Sequence, residues 1–143
     1  MDLIRRKIIW INILVFIITI IEVSWFSPDG LSAVDLSSSV LDYVLWIGMF
    51  ALVLINILLL IFNFFQARLL IKTSTMTLLM ISYWLLINYS EFQERVAAWS
   101  TFSSREIFYY TVCYSVWPAG LSACLLFAGL YSIERFLKAP GSY

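Results

Sequence analysis

Residues 43–67 read YVLWIGMFALVLINILLLIFNFFQA, a run without a single charged side chain. A helix needs about 20 mostly apolar residues to cross a hydrocarbon layer about 30 Å thick. Residues 43–67 meet that length, and three further uncharged runs, at 8–21, 73–90 and 107–133, reach or approach it. The pattern predicts four membrane-spanning helices.

The composition of the chain supports a lipid environment. Hydrophobic residues make up 62% of its 143 positions, and the mean hydropathy is +0.92. Soluble domains contain roughly 45–50% apolar residues, so a soluble core does not account for this excess. Four helices of about 20–25 residues use most of the length, and we therefore predict one membrane domain over 1–143.

The predicted fold is all-α, a four-helix transmembrane bundle with short connections. The predicted spans cover about 8–26, 40–65, 73–89 and 107–131. In the loop before the last span, Phe92, Val96 and Trp99 recur at helical spacing. That spacing predicts a short amphipathic helix over about 91–100, lying on the membrane surface.

Lysine and arginine are distributed unequally between the two ends of the predicted bundle. Only Arg95 and Arg105 lie at the end opposite the termini. The end that holds both termini carries seven: Arg5, Arg6, Lys7, Arg68, Lys72, Arg135 and Lys138. The positive-inside rule therefore predicts that both termini are cytoplasmic, N-in and C-in. We expect an integral protein of a prokaryotic inner membrane.

Charge and histidine content argue against several classes of function. Nine basic and nine acidic residues give no net charge, whereas nucleic-acid binding needs a basic surface. The chain has no histidine, a very frequent ligand of haem, zinc and copper. No phosphate-binding, nucleophile or metal-protease motif occurs. We expect no metal, no cofactor and no enzyme activity. The expected partners are membrane lipids and another integral membrane protein, or a second copy of this chain.

Polar side chains inside the predicted spans are the first candidates for a site. Asn56 and Asn63 lie seven residues apart on the second helix, and Asn12 and Thr19 lie seven apart on the first. Seven residues bring a helix back to nearly the same face. Amides face lipid only at high cost, so these faces should point inward, with Asn12 near the depth of Asn63. Interhelical hydrogen bonds, worth about 1 kcal/mol each, are the favoured interpretation, and a polar path for a substrate is the alternative.

Glu22 is the only carboxylate clearly inside a predicted span. It lies about one turn from the outer end of the first helix, so we expect its carboxylate to reach the headgroup region. Two alternatives stay open: pairing with another subunit, and coupling to an ion, which is the usual role of intramembrane carboxylates.

The fourth helix is rich in small residues. They form two adjacent faces, one with Ser115, Ala119, Ser122 and Gly129, the other with Gly120, Cys124 and Ala128. Small residues at such spacing let helices approach closely in lipid. Pro118 lacks the N–H that would bond the carbonyl of Tyr114, so we expect a bend there. The small faces predict tight packing inside the bundle or, alternatively, a docking face for a partner or a second copy.

Two hypotheses of function follow. The first is a small non-enzymatic accessory subunit, assembly factor or immunity-type binding partner of a larger membrane protein. The second is a small homo-oligomeric channel or transporter with an Asn-lined polar path. A channel needs a polar face that is continuous across the bilayer. In the outer half only Thr19 and Glu22 continue this face, so the sequence favours the first hypothesis.

Overall fold

The computed structural model describes residues 2–26, 40–95 and 102–137. Four helices fill these ranges: α1 (Asp2–Phe26), α2 (Val40–Phe64), α3 (Leu69–Arg95) and α4 (Ser104–Phe136). Each is long and apolar enough to cross a membrane. The prediction of an all-α bundle of four candidate membrane spans is confirmed.

The first, third and fourth helices are longer than their predicted spans, and α1 begins at Asp2 rather than 8. α3 begins at Leu69 rather than 73 and continues to Arg95 rather than 89. α4 covers Ser104–Phe136 rather than 107–131. Hydropathy indicates which part of a helix lipid can surround. The backbone hydrogen bonds and the side-chain packing that stabilise the helix continue past the first charged residue. At the start of α4, the Ser103 hydroxyl accepts from the Glu106 N–H and the Glu106 carboxylate accepts from the Ser103 N–H.

The separate surface helix predicted over 91–100 is wrong at its start. Residues 91–95 belong to α3, and 96–100 lie outside the described residues. Glu91 is buried, and the ring of Phe92 stacks on Tyr110 and Tyr114 of α4. These contacts continue the packing of α3 against α4, so this turn belongs to the bundle.

The helices are arranged around α1, which contacts the other three. α1 packs extensively on α2 and α4, and α3 packs mainly on α4, while α2 and α3 meet only lightly. The connection between α2 and α3 is a tight turn in which Gln66 has φ of 49°. Successive helices run in opposite directions. The end where α1 begins and α4 ends is called the terminal end, and the other is called the far end.

An apolar layer occupies the middle of the bundle. Val15 of α1, Met80 of α3 and Leu126 of α4 are fully buried there, together with Ile11 and Ile55. Trp84 of α3 borders this layer toward the far end and is also fully buried. The layer separates the polar side chains of the terminal end from those of the far end.

The glycines of the helices differ in what surrounds them, and this gives a test of the packing. A Cβ at Gly48 would lie 2.5 Å from a ring carbon of Phe16, whereas a Cβ at Gly120 would have nothing within 4 Å. We expect Gly48→Ala to lower the free energy of unfolding by about 1–3 kcal/mol through overpacking. Gly120→Ala should be neutral, or stabilising by up to about 1 kcal/mol, since alanine is the better helix former. Denaturant unfolding in detergent compares the two, and equal effects would contradict the packing of Gly48 on Phe16.

Candidate functional site: two polar clusters inside the bundle

Charged side chains meet inside the terminal end, and all four helices contribute. The terminal-end cluster consists of Lys7 (α1), Asn63 (α2), Lys72 (α3) and Glu134 (α4). The Glu134 carboxylate pairs with Lys7, and its other oxygen lies 2.7 Å from Lys72 Nζ. Lys72 Nζ also donates to Asn63 Oδ1 at 3.2 Å. Lys72 and Glu134 are 5% and 8% exposed, so this network links the helices through buried side chains.

The predicted spans do not include this network. They leave Lys72 between the second and third helices and Glu134 beyond the fourth. The longer α3 and α4 bring both residues inside the bundle. Glu134 and Asp2 are the only acidic residues in the sequence among the seven basic residues of that end, and this imbalance is the signal that could have indicated an ion pair.

Asn12 and Asn56 face each other between α1 and α2. Asn56 Nδ2 donates to Asn12 Oδ1 at 2.7 Å, and Asn12 Nδ2 donates to Asn56 Oδ1 at 3.3 Å. Each amide also donates to a carbonyl of its own helix four residues earlier. Asn12 therefore contacts Asn56 rather than Asn63, whose partner is Lys72. Since both amides satisfy each other, they act as an interhelical contact.

A second group of polar side chains lies at the far end, between α1, α3 and α4. Asn88 of α3 donates through Nδ2 to Glu22 Oε1 at 2.8 Å and to Ser115 Oγ at 3.1 Å. All three side chains are fully buried. The expectation that Glu22 reaches the headgroup region is wrong. α3 and α4 continue beyond the depth of Glu22 on α1 and cover its carboxylate.

Two further polar residues extend this group by one turn toward the far end. Glu91 follows Asn88 on α3 by three residues, and Thr111 precedes Ser115 on α4 by four, which places each pair on one helix face. Both are buried, at 1% and 2% exposure. We call Glu22, Asn88, Glu91, Thr111 and Ser115 the far-end cluster. Asn88 and Glu91 were missed in the sequence, although Trp84, Asn88 and Glu91 recur at the spacing of one helix face.

Trp84 and Thr19 close the far-end cluster toward the middle of the bundle. The indole N–H of Trp84 donates to Thr19 Oγ1 at 3.2 Å, and both side chains are fully buried. The apolar layer with Val15 and Met80 lies next to them, toward the terminal end. The far-end cluster is thus separated from the Asn12–Asn56 pair and from the terminal-end cluster.

The small residues of α4 separate into inner and outer sets. Ser115, Ala119 and Ser122 are buried inside the bundle, and Gly129 is half-buried against Leu14 of α1. The outer set is exposed on the outer surface of the bundle and consists of Gly120, Cys124 and Ala128. Pro118 is buried within a continuous α4, and the bend expected there stays a prediction. Packing inside the bundle therefore accounts for the inner set, and a docking face stays a prediction for the outer set.

Comparison with known proteins gives no match: no family model, no curated protein and no solved structure is significantly similar to this chain. The function therefore has to be argued from the geometry of the bundle alone.

Proposed function

We propose that this protein is a small non-enzymatic subunit, assembly factor or immunity-type partner that associates with a larger membrane protein through α4. We place it in a prokaryotic inner membrane with both termini in the cytoplasm, as the distribution of lysine and arginine predicts. The observation that carries the proposal is the open surface at Gly120, where an added Cβ meets nothing within 4 Å.

Glycine inside a helix costs about 1 kcal/mol relative to alanine, so its presence needs a reason. At Gly48 and Gly129 the packing of the chain itself explains the glycine, since the side chains of Phe16 and Leu14 occupy the space where a Cβ would lie. Gly120 has no such neighbour. Cys124 and Ala128, one and two turns further along α4, are also small and exposed. These three residues, which we call the α4 ridge, let the backbone of another helix approach closely.

The interior of the bundle gives less support to a small channel or transporter with an Asn-lined path. The Asn12 and Asn56 amides use their hydrogen-bonding groups on each other and on their own helices. The apolar layer separates them from the far-end cluster. The groove of about 460 Å³ between α2 and α3 is lined almost entirely by apolar atoms of residues such as Phe50 and Ile57. A polar path would require the helices to rearrange.

Gly120→Leu is expected to abolish the complex that this protein forms in its own membrane, because a leucine on the α4 ridge keeps the partner helix away. Gly120 is exposed, and an added Cβ meets no atom within 4 Å, so we expect folding to be unaffected. Ser82→Leu is the matched control, since Ser82 is exposed on α3 and gains the same side chain. Ala119→Leu is a less specific test of partner binding. Ala119 is 5% exposed and faces the interior, so a leucine there would also disturb the packing of the bundle.

Native mass spectrometry after gentle extraction provides the measurement. A stoichiometric complex with a different membrane protein, present with Ser82→Leu and lost with Gly120→Leu, supports the proposal. A homo-oligomer without a partner would support the channel or transporter hypothesis instead. Identical complexes for both leucine variants would show that the α4 ridge is not the interface.

A further inference from the structure

The far-end cluster contains a carboxylate that the described residues leave only partly satisfied. Glu22 Oε1 accepts from Asn88, but Glu22 Oε2 has no hydrogen-bond partner among the described residues, and neither has Asn88 Oδ1. No described lysine or arginine forms an ion pair with Glu22. A carboxylate ion buried without a counter-charge is strongly unfavourable, and such groups become neutral by taking up a proton.

Glu22 Oε2 and Asn88 Oδ1 are both hydrogen-bond acceptors, so what the pair lacks is a donor. A proton on Glu22 supplies that donor and removes the charge at the same time. The same two oxygens could also contribute to a cation site, but no group of three or more His, Cys, Asp or Glu side chains that could hold a metal ion occurs among the described residues.

We propose that the far-end cluster is a proton-binding site in which Glu22 carries the proton between α1, α3 and α4. The reaction is the uptake of one proton from water by the Glu22 carboxylate, without electron transfer. This inference concerns the interior of the bundle and does not depend on the α4 ridge.

The surroundings of Glu22 determine which side of the bundle supplies the proton. Glu91 of α3 and Thr111 of α4 are buried one turn further toward the far end and form the polar continuation of the cluster. At the start of α2, Asp42 and Tyr43 lie at the same end, with Asp42 exposed. In the opposite direction lie Trp84 and the apolar residues Val15 and Met80, whose side chains cannot relay a proton. The site therefore exchanges protons with the far side only, and it responds to the pH of that side rather than moving protons across the membrane.

The test uses the full chain in lipid nanodiscs and two measurements. Infrared spectroscopy detects the carbonyl band of a buried carboxylic acid, which we expect at neutral pH in the wild type and which Glu22→Gln should remove. Glu106→Gln is the control, since Glu106 is exposed and its loss should leave the band unchanged. Thermal unfolding across pH is the second measurement. Because the folded state holds a proton that the unfolded chain releases, stability should fall as pH rises. Glu22→Gln should remove this dependence.

Several outcomes would overturn the proposal. A wild-type spectrum without an acid band would show that Glu22 is ionised. A band that persists in Glu22→Gln but disappears in Glu91→Gln would assign the proton to Glu91. Stability that depends on sodium concentration rather than on pH would identify a metal cation as the occupant. The infrared result for the wild type needs no variant, so the proposal stays testable even if Glu22→Gln does not fold.

Discussion

Glu134→Ala is expected to lower the free energy of unfolding by about 3–5 kcal/mol, the typical cost of removing one partner of a buried ion pair. Glu134 is the only described acidic side chain that pairs with Lys7 and Lys72. Without it, the ammonium of Lys72, a residue only 5% exposed, keeps a hydrogen bond to Asn63 and loses its counter-charge. Unfolding of the purified protein in mixed micelles, followed by circular dichroism, measures the loss.

Arg135→Ala is the matched control for this prediction, since Arg135 is the next residue and is exposed. Its effect should stay within about 0.5 kcal/mol, as for most surface substitutions. A combined replacement of Lys7, Lys72 and Glu134 by methionine should recover most of the stability, because an apolar substitute for a buried ion network is often neutral or stabilising. A loss for Glu134→Ala no larger than that for Arg135→Ala would contradict the structure of the terminal-end cluster.

Trp84→Ala is expected to have the second large effect, also about 3–5 kcal/mol, as for other large-to-small substitutions of aromatic residues in a core. Trp84 is fully buried, and its indole N–H bonds to Thr19. In lipid the loss comes from packing and from this hydrogen bond, because lipid tails are as apolar as the core. The same unfolding assay measures it.

Trp117→Ala provides the comparison, since this tryptophan of α4 is 75% exposed. It removes the same number of atoms from a surface where lipid can fill the space. We expect a loss below about 1 kcal/mol. If the two tryptophan variants lost equal stability, Trp84 would not occupy the interior as described.

The number of helices and both ends of α2 could be predicted from the sequence, but the ends of α3 and α4 could not. An uncharged apolar run of sufficient length is stable in lipid as a helix, because a helix satisfies its backbone hydrogen bonds internally. The ends of α3 and α4 depend instead on contacts between helices, such as those of Glu91 and Glu134. A charged residue at the end of an apolar run predicts the start of a loop. The prediction fails when the residue pairs with a side chain on another helix, because the sequence does not show that pairing.

The candidate site was predictable only where one helix carries the whole signal. The inward direction of Asn12 and Asn56 followed from the cost of placing amides in lipid, and the structure pairs them. The environment of Glu22 depends on how far α3 and α4 extend beside it. The spacing of residues along α1 gives no information on the length of those two helices. Asn88 was missed for the same reason, since its importance comes from residues on two other helices.

The contact between the first and the last helix has a consequence for biogenesis. Translation delivers α1 and α2 first, and these two can pair at once through Asn12 and Asn56. The partner of Lys7 comes from α4, which is translated after the other three helices. Until α4 is inserted, Lys7 lacks the Glu134 carboxylate, and Glu22 lacks the cover that α4 provides. We therefore expect the pairing of α1 with α2 to precede the full burial of these two ionisable side chains.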